Sequence, residues 1–177
     1  MLTIEPALNK DGPSILRITA EAGVFKPIEV SCVEELWNEY QSELEASGYV
    51  FLVHREDDGS VTGYSCFGTH PLTEGTYDLY WIAVDPATRG RGIGHALLSR
   101  TEREVYARGG RLLLVETSST PTYAAARALY ESGGYHFEAC VHDFYAPGDD
   151  LLIYAKVLDP RPDYQPQTAN ALVPARA

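Results

Sequence analysis

The chain has 177 residues, of which 45% are hydrophobic and 22% are charged, a composition that favours a single globular domain with a sizeable core. Its 25 acidic residues outnumber 14 basic residues and give a formal net charge of −11, which argues against nucleic acid as a partner. No apolar run approaches the roughly 20 residues that a membrane span needs, and the N-terminus lacks the basic and apolar segments of a signal peptide.

Two helices are predicted after a short first strand at Leu2 to Glu5. Pro13 favours the first turn of one helix, which runs to about residue 21. Ser31 and Glu34 fit a capping box at the start of the other, whose apolar residues fall at helical spacing: Val33, Leu36, Trp37, Tyr40 and Leu44. The acids on its opposite face form either a solvated surface or a wall over a cationic substrate: Glu35, Glu39 and Glu43.

The rest of the chain predicts six more strands and two more helices, separated by glycine, proline and aspartate turns. The strands are expected at 49–54, 60–68, 78–84, 111–116, 135–144 and 151–157, and the helices at 92–109 and 121–132. The resulting order is β-α-α-β-β-β-α-β-α-β-β. Residues 159–177 hold four prolines and little periodicity, so they are predicted to form a tail behind one domain at residues 1–158.

The stretch from Asp78 to Arg100 combines a strand, a glycine-rich turn and the opening of a helix. Strict alternation in the strand would place Leu79, Trp81 and Ala83 on one face and the remaining residues on the other: Asp78, Tyr80, Ile82 and Val84. The first N–H groups of a helix lack internal partners and lie at the positive end of its dipole. Glycines there allow an anion to approach closely. The turn therefore predicts a phosphate or pyrophosphate site, with two flanking arginines that can add charge-assisted bonds.

The motif in this turn is more specific than a glycine loop alone. It lacks the Gly-Lys-Ser/Thr of a Walker loop, and Leu97 replaces the third glycine of the dinucleotide-binding pattern. Arg89-x-x-Gly92-x-Gly94, after a strand that ends in Val-Asp-Pro, instead resembles the coenzyme A loop of the GNAT superfamily of N-acetyltransferases. The stretch from Ala126 to Tyr135 resembles the family's Ala-x-x-Leu-Tyr-x-x-x-Gly-Phe/Tyr. The resemblance covers roughly residues 2–158.

This resemblance implies a mixed α/β fold, with a largely antiparallel central sheet flanked by helices. It also implies direct transfer of an acetyl group from acetyl-CoA to an amine. Backbone N–H groups would hold the pyrophosphate of the cosubstrate at Arg89, Gly90, Arg91, Gly92, Ile93, Gly94 and His95. The strand residues that pair with its pantetheine arm would be Ile82, Ala83 and Val84. Tyr123 stands where the family often has an asparagine that bonds this arm, so the contribution of the Tyr123 position to cofactor binding stays open.

Three residues are candidates for proton transfer. Tyr130 occupies the tyrosine of the family's Leu-Tyr pair, whose hydroxyl in many members points at the cofactor sulfur, so the resemblance implies that it is the general acid. For the general base, Asp78 is expected to share a face with Val84 by alternation, and Glu116 at the end of the next strand is its rival. Either carboxylate could instead be structural.

The acceptor is expected to be a cationic amine, on a small molecule or a peptide. Residues 1–88 carry 15 acidic and 4 basic residues, whereas residues 89–158 carry eight of each, as an anionic cosubstrate in the second half would require. Tyr135 and Tyr145 could shape an aromatic acceptor pocket. Two other functions stay open: a non-catalytic acyl-CoA-binding sensor, and a transferase for another acyl-CoA or for an alcohol. A homodimer is one candidate assembly.

No metal is expected, because the cysteines and histidines are scattered. Cys32, Cys66 and Cys140 form no Cys-x-x-Cys pair, and they favour a reduced, cytoplasmic setting. Four histidines also lack the spacing of metal ligands: His54, His70, His136 and His142.

Overall fold

A computed structural model describes residues 2–43 and 47–158. The predicted tail at 159–177 lies outside these residues, as does Leu44. The strands are β1 (Ile4–Pro6), β2 (Tyr49–Arg55), β3 (Val61–Thr69), β4 (Thr76–Val84), β5 (Leu112–Ser118), β6 (His136–Ala146) and β7 (Asp149–Val157). The helices are α1 (Gly12–Glu21), α2 (Pro27–Glu43), α3 (Ile93–Ala107) and α4 (Ala124–Ser132). The predicted element order is therefore confirmed.

All seven strands form one sheet, in the order β1-β2-β3-β4-β5-β7-β6. Every neighbouring pair is antiparallel except β4 and β5, which run parallel and are joined by the crossover through α3. The mixed, largely antiparallel sheet that the sequence predicted is confirmed. The parallel pair lies near the centre of the sheet, so both of its strands have a second, antiparallel neighbour.

The helices cover both faces of the sheet. The side chains of α1 and α2 pack on one face around Phe51, Tyr64 and Cys66. Those of α3 and α4 pack on the other face around Phe67 and Leu113. Each face thus has its own hydrophobic core. Packing on both faces fixes the positions of the ends of the central strands.

A β-bulge in β4 breaks the strict alternation that the sequence suggested. Trp81 pairs with Cys66 and Leu79 pairs with Phe67, so Tyr80 has no partner of its own on β3. As a result, Leu79 packs on the face of α3, whereas Trp81 lies with α1 and α2. The predicted single face for Leu79, Trp81 and Ala83 is therefore wrong, because a bulge inserts one extra residue into the ladder.

Helix α2 begins one turn earlier than predicted. Pro27 is its first residue, and the Glu29 carboxylate accepts a hydrogen bond of 2.7 Å from the N–H of Lys26. Ser31 lies inside the helix, where its hydroxyl is 3.4 Å from the carbonyl oxygen of Pro27. The predicted cap at Ser31 is wrong, because proline and a back-bonding glutamate form an equally good start one turn upstream.

Within the described ranges, no helix combines the length and the apolar character that crossing a bilayer requires.

Candidate active site

Strands β4 and β5 separate halfway along their length. They pair over four residues, and the last pair joins Leu79 to Val115. Beyond this point β4 still pairs with β3, and β5 still pairs with β7, but within the described residues the two strands do not pair with each other. The facing edges of Ile82 to Val84 and of Glu116 to Ser118 therefore present backbone N–H and C=O groups to the gap between them. We call this gap the β4–β5 cleft.

The glycine-rich turn follows β4 at the open end of the cleft. Gly90 and Gly92 have φ angles of +79° and +82°, in the left-handed region that L side chains rarely adopt. Gly92 is also the N-cap of α3, and its carbonyl oxygen accepts a hydrogen bond of 3.0 Å from Ala96. The N–H groups of the first helical turn, from Ile93 to His95, consequently have no partner within the helix. The turn has the form of an anion-binding site.

The two arginines of the turn have other partners. One guanidinium nitrogen of Arg89 donates a hydrogen bond of 2.6 Å to the carbonyl oxygen of Ala22, at the end of α1. Arg91 forms two hydrogen bonds with the carboxylate of Glu56, of 2.7 and 3.2 Å, in the β2–β3 turn. Their side chains thus fix the turn against neighbouring elements in this structure. The expectation that they also add charge-assisted bonds to a phosphate stays a prediction.

Thr117 is a residue of the cleft that the sequence analysis did not single out. Its side chain is only 4% exposed, and its hydroxyl has no hydrogen-bond partner among the residues that the structure describes. A buried hydroxyl of this kind is a position where a ligand or a bound water is expected. The only sequence signal was a hydroxyl residue two positions after the apolar run of β5.

Tyr130 lies on α4 and is 6% exposed, between Tyr135 and Tyr154. The ring centroids of these two tyrosines are 6.0 and 6.3 Å from its own. Burial, followed by the nearby Tyr123, raises the pKa of the Tyr130 hydroxyl above its ordinary value, so the group stays protonated at neutral pH. Its hydroxyl makes no hydrogen bond to any other described residue, so a proton remains available for a bound molecule.

Tyr123 lies at the start of α4 and contacts the loop between α1 and α2. Its hydroxyl donates to the carbonyl oxygen of Val24 (3.3 Å) or to the carboxylate of Glu29 (3.2 Å). Phe25 in that loop contacts both Tyr123 and the β4 residue Trp81, at centroid distances of 6.4 and 5.2 Å. An aromatic chain thus crosses from β4 to α4. The Tyr123 hydroxyl points to Glu29, so its role in binding a cosubstrate stays a prediction.

The two candidate bases differ in their positions relative to the cleft. Asp78 lies in the paired part of β4, opposite Leu114, and its carboxylate bonds the His70 imidazole at 2.7 Å. The bulge puts Asp78 and Val84 on opposite faces, so the alternation argument for Asp78 is wrong. Glu116 is the first residue of β5 beyond the last pair with β4, and it is exposed.

The charges of three acidic residues influence Tyr145 of β6. Burial, followed by the charges of Glu116, Asp149 and Glu29, raises the pKa of the Tyr145 hydroxyl to about 12. Acids from α2, β5 and β7 therefore act electrostatically on the same side chain. Tyr135, in contrast, is buried in the core at 2% exposure, with the Lys156 ammonium 5.6 Å from its ring centroid. The predicted pocket role of Tyr135 therefore has no support in this structure.

The comparisons with known proteins agree with this geometry. The model of the acetyltransferase (GNAT) family matches residues 17–135. A curated relative, N-alpha-acetyltransferase RimI of Mycobacterium tuberculosis, is 41% identical over 96 residues, which are 51% of this chain and 54% of that protein. The chain spans about half or less of the length of the curated relatives it matches.

Solved structures extend the match to nearly the whole chain. A GNAT-family protein from Desulfovibrio desulfuricans is 40% identical and superimposes with a TM-score of 0.86, covering 90% of this chain and all of that one. The Salmonella typhimurium protein yncA, solved with acetyl-CoA, has a TM-score of 0.72 at 24% identity and covers 94% of this chain and 99% of its own; at that identity it shows the fold alone. The family model and the Desulfovibrio structure together show that the chain belongs to the GNAT acetyltransferase family.

Proposed function

We propose that the chain transfers an acetyl group from acetyl-CoA to a primary amine by direct attack of the amine on the thioester. The observation that carries this proposal is the β4–β5 cleft, which has a strand edge along one side and the anion-binding turn at its open end. Pyrophosphate oxygens would accept from the first N–H groups of α3. The pantetheine amides would pair with the free edge of Ile82 to Val84. Thr117 offers a further hydrogen bond inside the cleft.

Tyr130 supplies the proton that the departing thiolate needs. Its raised pKa keeps the hydroxyl protonated over the physiological range, which a general acid requires. Tyr130 lies on α4, which packs on the same face of the sheet as α3. The first turn of α3 would hold the pyrophosphate. Tyr123 would line the cosubstrate site from the start of α4, where Phe25 connects it to Trp81 of β4.

Glu116 is the better candidate for the base that takes the proton of the attacking amine. It lies where the strands separate, and its neighbours in β5, Val115 and Thr117, point to the opposite face by alternation. Asp78 is held by His70 within the paired part of the sheet. We expect Glu116→Gln to remove the acidic limb of the pH–rate profile and Asp78→Asn to preserve it. The reverse result would assign the base to Asp78, and no change in either variant would assign it to neither.

Turnover distinguishes this enzyme from a non-catalytic sensor with the same fold. Purified protein would be incubated with acetyl-CoA and a panel of amines, and the free thiol of coenzyme A measured over time. Release that depends on an amine supports the proposal, whereas tight binding of coenzyme A with no release across the panel would favour the sensor. Propionyl-CoA and alcohols in the same assay test the other acyl chains and acceptors.

We further propose that the acceptor is cationic. The charges of Glu29, Glu116 and Asp149 all act on the Tyr145 hydroxyl, and a positive charge near that hydroxyl would be attracted over about a Debye length, roughly 10 Å at moderate salt. The reduced, cytoplasmic setting also stays a prediction; the three cysteines are free thiols.

Glu29→Gln is expected to raise KM for a diamine acceptor about three- to tenfold and to leave kcat nearly unchanged. The amide keeps the size and one acceptor oxygen for the N–H of Lys26, and Tyr123 can donate to Val24 instead. It removes one charge, and an ion pair at 4 Å in water is worth about 1 kcal/mol. The matched control is Glu34→Gln, an exposed acid on the same helix that is not among the acids of the predicted wall. Steady-state kinetics at two salt concentrations measure KM and kcat. Equal KM values in both variants, together with a neutral or anionic best acceptor, would contradict the proposal of a cationic acceptor. The proposal of acetyl transfer would not be affected by that result.

A further inference from the structure

Three potential metal ligands converge on one face of the β6–β7 hairpin. The Sγ atom of Cys140 is 3.7 Å from Nδ1 of His142 and 3.8 Å from Oδ2 of Asp150. The same Nδ1 is 3.1 Å from that Oδ2. A thiol, an imidazole and a carboxylate therefore present one donor atom each to a common point.

The hairpin register explains why spacing along the chain does not reveal this cluster. Cys140 and His142 are two residues apart on β6, so they project to the same face. Val141 pairs with Leu151, whereas the next pair joins Ala146 to Asp149, so four residues of β6 oppose the single residue Asp150. This irregularity brings Asp150 against both side chains. The expectation of no metal rested on spacing along the sequence, and such spacing does not detect ligands that meet across a hairpin.

The three distances suit a divalent transition metal. A point about 2.1 Å from all three donor atoms lies at the centre of the triangle that they form, and zinc binds imidazole, carboxylate and thiolate at roughly 2.0, 2.1 and 2.3 Å. The second oxygen of Asp150 already accepts a hydrogen bond of 2.9 Å from the N–H of Asp143. That bond directs Oδ2 toward the common point, as outer partners of metal ligands commonly do.

We propose that Cys140, His142 and Asp150 form a site for a zinc-like divalent cation, with a fourth position left to water. Sulfur and nitrogen donors favour Zn²⁺ or Co²⁺ over Mg²⁺ and Ca²⁺, which prefer all-oxygen sites. The thiol releases its proton to solvent on binding, and the thiolate sulfur donates an electron pair to the metal. The ion would tie the irregular part of β6 to β7 and stiffen the segment that carries Tyr145.

Zinc alone is the probe for the first experiment. Full-length protein without a histidine tag would be titrated with Zn²⁺ against a chromophoric chelator, and Co²⁺ would be added separately to detect thiolate-to-cobalt charge-transfer absorption. We expect one Zn²⁺ per chain, a melting temperature that rises with zinc concentration, and the thiolate band with cobalt. Failure of the full-length protein to bind zinc would overturn the proposal.

Matched variants locate the site. Cys140→Ser, His142→Gln and Asp150→Asn should each weaken zinc binding at least about tenfold, the lower bound even for loss of an outer partner of a ligand. Cys32→Ser and His136→Gln, at exposed positions away from the cluster, should bind as the wild type does. His142 is half exposed, so its variant decides the matter if Cys140→Ser does not fold. Unchanged binding in His142→Gln, or equal loss in Cys32→Ser, would overturn the proposal.

Discussion

Gly92→Val is expected to weaken coenzyme A binding at least about 100-fold while the protein still folds. Gly92 has a φ of +82°, and a β-branched residue cannot adopt this conformation without strain. The turn must therefore move, and the first N–H groups of α3 no longer point to a common anion. Two lost charge-assisted hydrogen bonds, at roughly 1.5–3 kcal/mol each, account for the expected loss of affinity. Isothermal titration calorimetry with coenzyme A measures it.

Gly109→Val is the control for backbone strain in this experiment. Gly109 has nearly the same φ, +81°, and a Cβ there would meet no other atom within 4 Å. It follows the C-terminal end of α3, so its variant carries a similar strain of about 1–3 kcal/mol away from the proposed phosphate site. We expect it to lose stability and to keep coenzyme A affinity. A folded Gly92→Val protein with wild-type affinity would remove the turn from the cosubstrate site.

Tyr130→Phe is expected to lower kcat at least about tenfold, since general acid catalysis is typically worth about 100- to 10,000-fold and water can replace part of it. The phenyl ring keeps the packing against Tyr135 and Tyr154, and only the proton donor is lost. KM for acetyl-CoA should change little, because the interaction acts in the transition state. Steady-state kinetics between about pH 6 and 9, below the ordinary tyrosine pKa of roughly 10, measure both constants.

Tyr154→Phe is the matched control for Tyr130→Phe. Tyr154 lies in the same buried cluster, but its hydroxyl donates to Glu131 at 3.1 Å, so its loss should affect stability and spare kcat. If Tyr130→Phe turned over at the wild-type rate throughout the pH range, the tyrosine would be a packing residue and the proton would come from elsewhere.

The sequence was sufficient to predict the element order and the glycine-rich turn. These features depend on local signals: glycines at positive φ, proline at helix starts, and apolar periodicity. The face of Asp78 relative to Val84 could not be predicted. One bulge at Tyr80 moves the side chain of every later residue of β4 to the opposite face of the sheet. A bulge depends on how β3 and β4 fit together, and the sequence of one strand does not encode it.

Other parts of the site depend on contacts between distant segments. Glu29 lies 94 residues before Tyr123, yet its carboxylate meets the tyrosine hydroxyl. It also bonds the N–H of Lys26, which starts α2 one turn before the capping box that the sequence suggested. Two helix starts of similar quality stood within five residues, and local patterns could not choose between them.

The single parallel pairing has a consequence for how the molecule assembles. Strands β1 to β4 and strands β5 to β7 each form ladders of antiparallel rungs, and four residue pairs join the two groups. The two strands of this β4–β5 pairing are separated in sequence by the whole of α3, so we expect the pairing to form late in folding. Apart from the short edge pairing of β1 with β2, it has the fewest residue pairs of any strand pairing in the sheet that the structure describes. Separation of β4 from β5 to admit a ligand would therefore break few backbone hydrogen bonds. It would leave the packing of the two hydrophobic cores unchanged.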